Sequence, residues 1–229
     1  LSCTLSGRNS LALDNYRLGR IISKEALNAV IAEGKYKGQS VAFWLSGFPA
    51  GRDLLAQDNY RLAKMVSAEA LNAVIAEGPR QGQSVAFCLS FFPDGRDLLA
   101  QDNYRLAKMI SEEALNAVVT AGSRQGQSVA FWLPYFQSGR DLLARDDYRL
   151  AKMISEETLN TVVTEGPNKG LSIAFWLSCT LSGRNSLAQD NYRLAKMISA
   201  EALNAVIAAG SRQGQSVAFW LSYFQSGRD

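Results

Sequence analysis

Arginine and aromatic side chains at two recurring places are the groups in this sequence that are best suited to bind a partner. One place is the end of a short apolar segment, and the other is the polar loop that precedes that segment. Guanidinium groups bind carboxylates and phosphates, and exposed aromatic rings often dominate protein interfaces. The candidate partner-binding residues are Phe91, Phe92, Tyr135, Phe136, Tyr223, Phe224, Tyr36, Arg80, Arg124, Asn168 and Arg212.

The composition gives little support for enzyme activity. Histidine is absent from the 229 residues, which removes the commonest general base and the commonest metal ligand. No phosphate-binding loop or metal-ligand cluster is recognisable, so we predict no enzyme activity, no metal site and no cofactor. The three cysteines, Cys3, Cys88 and Cys179, form no CxxC pair, and an odd number fits a disulfide framework poorly. We therefore expect reduced thiols and a cytoplasmic location.

The candidate residues recur because the whole sequence repeats. Gly7, Gly51, Gly95, Gly139 and Gly183 open successive copies that are 44 residues apart. A strict period of this length is typical of arrays in which each copy stacks on its neighbours. We predict a single array over 1–229, made of a partial repeat at 1–6, full repeats at 7–50, 51–94, 95–138, 139–182 and 183–226, and the start of a sixth repeat at 227–229.

The third repeat indicates which helices must hold these residues. Ser111 is a favoured N-cap, and Glu112 and Glu113 suit the positive end of a helix dipole. Apolar residues follow at helical spacing, and Gly122 is suited to the position just after a helix. The pattern predicts a three-turn helix over 112–121.

A second helix is predicted after the polar loop of the same repeat. It begins at the N-cap Ser128, runs through Val129 to Leu133 toward Phe136, and stops at Gly139. The segment is apolar on nearly every face, which indicates a buried helix. A buried strand fits the same run of apolar residues, and that alternative stays open.

Two shorter helical segments complete the repeat. Residues 140–144 predict a short helical turn. The pair Asp102 and Asn103 is interpreted as the cap of a further helix over 104–109, because both residue types accept hydrogen bonds from the first free N–H groups of a helix.

Some polar positions are the same in every repeat. The arginines at the positions of Arg52 and Arg61 could form a track for an anion, or they could pair with local acids such as Asp58. The acids recur as faithfully as the arginines, which favours pairing. We interpret the fixed Asn72 as a partner for loop backbone groups between repeats, and the fixed Tyr60 as inter-repeat packing.

The candidate partner-binding residues lie where the repeats differ. A constant frame with clustered variation and exposed aromatic residues is typical of a modular binding face. Neutral drift in tolerant loops would produce the same pattern, and the sequence leaves both explanations open.

The repeat length resembles that of HEAT and armadillo proteins, and the short capped helices with a Gly-bearing loop resemble ankyrin repeats. The stretch 127–131 takes a place comparable to the Thr-Pro-Leu-His segment of ankyrin, which is missing. These resemblances imply an all-α fold, a right-handed α-solenoid of five 44-residue helical repeats in an elongated array. Near-identical helical repeats are also similar to those of effectors secreted by intracellular bacteria, which implies delivery to a host cell.

The resemblances imply a non-enzymatic scaffold that binds a protein or peptide. A modular nucleic-acid binder is the alternative, which the net charge of only +3 disfavours, and an artificial or structural array is another. No apolar run is long enough to cross a membrane. Because the chain begins and ends within a repeat, we also expect end-to-end self-association of its uncapped termini.

Overall fold

The computed structural model describes residues 17–208 and 211–223, and in these ranges the chain forms helices, turns and extended loops, with no β-strand. The chain divides into two compact units, Leu1–Ala114 and Leu115–Asp229, called here the N-terminal and C-terminal units. The protein is therefore all-α in the described ranges, as predicted. The partial repeat at 1–6, the residues 227–229 and both termini lie outside the described residues.

Short helices dominate both units. The helices of the N-terminal unit are α1 (Arg17–Arg20), α2 (Lys24–Asn28), α3 (Val41–Ser46), α4 (Pro49–Met65), α5 (Ala68–Asn72) and α6 (Val85–Phe91), followed by α7 (Pro93–Met109). Helix α8 (Glu112–Asn116) lies across the division between the units. The C-terminal unit contains a 3-10 helix (Gly122–Arg124), α9 (Val129–Tyr135), α10 (Gln137–Leu143), α11 (Arg149–Lys152), α12 (Glu156–Asn160), α13 (Ile173–Ser178), α14 (Leu181–Met197), α15 (Ala200–Asn204) and α16 (Val217–Tyr223).

The three-turn helix predicted over 112–121 is wrong in length, because α8 ends at Asn116. The backbone groups of Val119 bond to the following loop instead of continuing the helix: its N–H donates to Gln127 and its carbonyl accepts from Gly126, both at 2.8 Å. Gly122 and Gly126 have φ angles of 78° and 80°. Gly122 therefore begins a turn in the left-handed region that favours glycine, instead of ending a helix.

The second helix is confirmed as a helix. The side chain of Ser128 accepts a hydrogen bond from the Phe131 N–H at 3.1 Å, and the apolar residues that follow are buried. The helix ends at Tyr135, however, and α10 continues past Gly139. A Cβ at residue 139 would lie 2.2 Å from the Leu133 carbonyl oxygen, so glycine allows α9 and α10 to approach closely.

The interpretation of the Asp-Asn pair as a helix cap is wrong. Asp102, Asn103 and Tyr104 have φ angles of 50°, 53° and 61°, which form one left-handed turn inside α7. The same turn occurs at 58–60, 146–148 and 190–192. Aspartate and asparagine tolerate this region better than most residues, which is why they occupy the first two positions. The turn bends the chain between two right-handed helical segments.

The core consists of the residues that the repeat pattern assigns to it. The Phe position of the second helix is fully buried in four repeats, at Phe43, Phe87, Phe131 and Phe175. The neighbouring Trp is buried at residues 44, 132 and 176, and Cys88 is buried at the same position of the second repeat. Burial of these large apolar side chains is the main favourable contribution to folding.

The fixed asparagine links successive repeats within each unit. The Asn72 amide donates to the carbonyls of Ala68 at 2.8 Å and Met109 at 2.7 Å, and its oxygen accepts from the Ser111 N–H at 2.9 Å. In the C-terminal unit, Asn160 bonds to Met197 and Ser199 in the same way. The interpretation of this asparagine as a partner for loop backbone groups between repeats is confirmed.

Candidate functional site

The first set of fixed arginines is occupied with structural contacts. The buried Arg52 places Nε 2.7 Å from the Asp94 carboxylate, and its Nη1 donates to the Ser46 carbonyl at the end of α3. Arg140 likewise donates to the Pro134 carbonyl at 2.8 Å. Removal from water lowers the pKa of Arg96 from its ordinary value, which reflects the burial of this position. These arginines satisfy the carbonyl ends of helices, and an anion track is not their role.

The second set of fixed arginines also binds backbone carbonyls. Arg61 Nη2 donates to the carbonyls of Gly19 and Arg20 in the preceding repeat, at 3.0 and 2.8 Å. In the C-terminal unit, Arg193 donates to the Ile154 carbonyl at 3.2 Å. The expected pair between Arg61 and Asp58 is wrong, because Asp58 lies 3.4 Å from the guanidinium of Arg20 instead.

The variable positions of the N-terminal unit divide into two groups. Tyr36 and Arg80 both contact Trp44: the Tyr36 and Trp44 rings meet edge to face with centroids 6.1 Å apart, and the Arg80 guanidinium carbon lies 4.5 Å from the Trp44 centroid. Phe91 and Phe92 form a separate pair with centroids 4.6 Å apart. The Phe92 ring lies 3.7 Å from the guanidinium carbon of Arg52. That contact gives Phe92 a structural role.

Three of the predicted residues meet in the C-terminal unit. Tyr135, Asn168 and Arg212 come from three successive repeats and line one cleft of about 320 Å³. The end of α9 positions Tyr135, and the two polar loops position the other two residues. The remaining lining residues are Pro167, Leu171, Trp176, Ile207 and Ser211. Both of the variable stretches identified in the sequence therefore contribute to the same cleft.

Trp176 is the central residue of this cleft. The Tyr135 ring packs against it with centroids 4.4 Å apart, and the Arg212 guanidinium carbon lies 5.2 Å from its centroid. Its side chain is only 7% exposed, and its indole Nε1–H has no hydrogen-bond acceptor within the described part of the chain. The sequence pattern assigns Trp176 to the core alone. No signal in the sequence indicates its second role, because that role depends on the side chains of other repeats that pack against its ring.

Positive charge gathers beside the cleft. Burial raises the pKa of the Cys179 thiol, and the nearby guanidinium groups of Arg212 and Arg140 act in the opposite direction. Burial lowers the pKa of Arg140, and the charge of Arg212 adds to this effect. The residues that line the cleft include no Asp or Glu. The site is therefore suited to binding a hydrogen-bond acceptor or an anion.

The other predicted residues of this unit do not line the cleft, although the Phe136 ring packs against Tyr135 with centroids 4.4 Å apart. Phe136 stacks near Trp132 with centroids 6.1 Å apart, and Tyr223 is 64% exposed at the end of α16. Arg124 lies half-buried in the 3-10 helix. Phe224 lies outside the described residues.

Comparison with known proteins gives no family assignment. No protein-family model matches the chain, and no curated protein or solved structure is significantly similar to it. Among the residues that the structure describes, no helix is long and apolar enough to cross a lipid bilayer. Within the same ranges, no three His, Cys, Asp or Glu side chains come together as a metal site would require.

Proposed function

We propose that this protein is a non-enzymatic interaction scaffold that binds a peptide segment of a partner protein through the variable positions of its repeats. The observation that supports this function is the convergence of Tyr135, Asn168 and Arg212 on one cleft. Each belongs to a different repeat and to a position at which the repeats differ. Variable positions that line one concave site can change the ligand that the site accepts without changing the core.

The proposed architecture is an α-solenoid of five repeats, of the kind that HEAT, armadillo and ankyrin proteins form. Its support comes from asparagine contacts that recur at the repeat period within each unit, such as those of Asn72 with Met109 and of Asn160 with Met197. Solenoids present successive repeats to an extended ligand. A reducing compartment such as the cytoplasm belongs to the same proposal, because Cys88 and Cys179 form no disulfide within the described residues.

A comparable arrangement in the N-terminal unit supports modular recognition. Arg80 lies over Trp44 as Arg212 lies over Trp176, with guanidinium carbons 4.5 and 5.2 Å from the ring centroids. The third contact differs, because Tyr36 takes the repeat position that Asn168 occupies in the other unit. One frame thus holds two differently composed surfaces, as expected of a scaffold that contacts successive residues of a peptide.

Selection from a random peptide display library on the immobilised chain tests this function. We expect enrichment of a consensus peptide whose binding is lost in the variant Tyr135→Ala, because that ring covers Trp176 in the cleft. The variant Lys196→Gln alters an exposed charge of α14 outside the cleft and should bind the peptide as the unaltered chain does.

Two results would contradict the proposal. One is the absence of any consensus, or a consensus peptide that binds the Tyr135→Ala variant with unchanged affinity although circular dichroism shows the variant to be folded. The other is tight, steeply salt-dependent binding of a single-stranded oligonucleotide in a gel-shift titration, which would favour the nucleic-acid alternative.

A further inference from the structure

We propose that the cleft of the C-terminal unit binds a carboxylate group of the partner peptide, with the Arg212 guanidinium as its hydrogen-bond donor. The proposal rests on the peptide-binding function and adds the chemical class that the cleft recognises. The carboxylate could belong to an acidic side chain or to a peptide C-terminus, and the experiment below separates these two sources.

The first reason is the state of the Arg212 guanidinium. Its carbon lies 5.2 Å from the Trp176 centroid, 5.8 Å from that of Phe175 and 5.6 Å from that of Trp220. Contacts with aromatic rings hold the cation in place without using its N–H donors. Within the described part of the C-terminal unit, the Arg212 side chain makes no ion pair and no hydrogen bond. A fixed guanidinium with free donors is prepared for bidentate binding of a planar anion.

The second reason is the place of the Trp176 ring. Trp176 lines the same cleft and is only 7% exposed. The Tyr135 ring packs against it with centroids 4.4 Å apart, and the Arg212 guanidinium carbon lies 5.2 Å from its centroid. The ring therefore keeps the guanidinium beside the cleft, and its indole N–H resonance reports on binding there.

The third reason is that only one of the neighbouring arginines is available. Arg140 donates to the carbonyls of Pro134 and Tyr135 and to the side chains of Gln137 and Ser182. Its donors are therefore occupied by the fold. Doubly charged groups such as phosphate are commonly held by arginine clusters, whereas a single fork matches the charge and planar shape of one carboxylate.

The remaining lining suits a peptide. Leu171 and Ile207 line the cleft as almost completely buried apolar side chains. Asn168 and Ser211 carry amide and hydroxyl groups that can bond to a peptide backbone. The cleft volume of about 320 Å³ falls at the lower end of the range for ligand pockets.

The indole N–H resonances in ¹H–¹⁵N correlation spectra of the full chain test this inference. The Trp176 signal is assigned with the variant Trp176→Phe. The probes are N-acetylglutamate N-methylamide, which has only a side-chain carboxylate, N-acetylalanine, which has only a terminal carboxylate, and the neutral N-acetylglutamine N-methylamide. We expect a saturable shift of the Trp176 signal with at least one carboxylate probe and none with the neutral probe. The carboxylate probe that binds more tightly identifies the source of the group.

The variant Arg212→Gln should bind the preferred probe about tenfold more weakly, because it loses a charge-assisted hydrogen bond. The matched variant Arg80→Gln removes the equivalent loop arginine of the other unit and should leave the Trp176 titration unchanged. The remaining resonances of each variant report whether it is folded. Equal shifts with the neutral probe, unchanged affinity of a folded Arg212→Gln variant, or tighter binding of inorganic phosphate would overturn the inference.

This experiment can fail separately from the test of function. A library consensus that binds through Tyr135 but tolerates neutral residues throughout would leave peptide binding standing and remove the carboxylate. Binding of a carboxylate probe without any peptide consensus would support the anion site and remove the peptide function.

Discussion

Two kinds of arginine carry the same guanidinium group and have different roles. One kind is fixed at the position of Arg52, and the other lies beside Trp44 or Trp176. Arg52 is buried, pairs with Asp94 and donates to a helix carbonyl. Arg80 and Arg212 are half-buried and lie over indole rings. The first kind recurs in every repeat, whereas the second occupies a position where other repeats have Tyr36 or Asn168.

The difference shows what repetition within one chain can reveal. A position that every repeat keeps is tied to a contact that every repeat must make, such as the hydrogen bond from Arg52 to the Ser46 carbonyl. A position that changes from repeat to repeat can be available for a ligand, as at Arg212, although Phe92 and Asp94 show that it can also contact a fixed residue. Whether a position varies among the repeats therefore indicates its role better than its residue type does.

The largest expected effect comes from the substitution Arg52→Met. It leaves the Ser46 carbonyl without this donor and Asp94 without its partner, so we expect the free energy of unfolding to fall by about 3 kcal/mol. The substitution Arg80→Met removes half-buried contacts with the Trp44 and Phe43 rings and should cost about 1 kcal/mol or less. Urea denaturation of both variants measures the difference. Equal losses would remove the distinction between the two kinds of arginine.

The fixed asparagine provides a second, smaller test. Asn72→Ala removes two donated hydrogen bonds and one accepted hydrogen bond, and we expect a loss of about 2 kcal/mol in the free energy of unfolding. Asn204 stands at the same repeat position but is exposed and donates only to the Ala200 carbonyl among the described residues. Asn204→Ala should therefore change the free energy by about 0.5 kcal/mol or less.

Chemical denaturation of the two asparagine variants checks this prediction. A loss for Asn204→Ala as large as that for Asn72→Ala would mean that the asparagine acts within its own helix and not between repeats. The frame would then depend on apolar packing alone.

Local rules of helix formation predicted much of the fold. The capping role of Ser128 and the burial of Phe131 follow from residue type and pattern, and both are confirmed. The length of α8 could not be predicted, because Val119 bonds to Gln127 across a loop, and local propensity does not encode that contact. The left-handed turn at 102–104 was missed for a related reason, since Asp and Asn favour both helix caps and this backbone region.

The candidate site was partly predictable. Variation among the repeats identified Tyr135, Asn168 and Arg212 as candidates, but their meeting in one cleft depends on how three repeats pack. The same variation also selected Phe92, whose ring packs against the buried Arg52. A sequence pattern cannot distinguish such a ring from one that is exposed to a partner. The sequence did not identify Trp176 as a site residue, because tryptophan occupies this position in four of the five repeats. Its contacts with Tyr135 and Arg212 are visible only in the structure.

The smallest expected effect concerns a position that holds Asn in four repeats and Asp in one, and whose side chain makes no contact at Asn103 in the described structure. Asn103 is exposed and has a φ angle of 53°, so we infer that it recurs because of its backbone conformation. Asn103→Ala should lower the free energy of unfolding by about 1 kcal/mol, because a Cβ without a local hydrogen-bonding group is disfavoured in this region. Asn103→Gly serves as the matched control and should be neutral or slightly stabilising, because glycine adopts the region freely. If urea denaturation shows equal losses for both variants, the side chain of Asn103 must make a contact of its own.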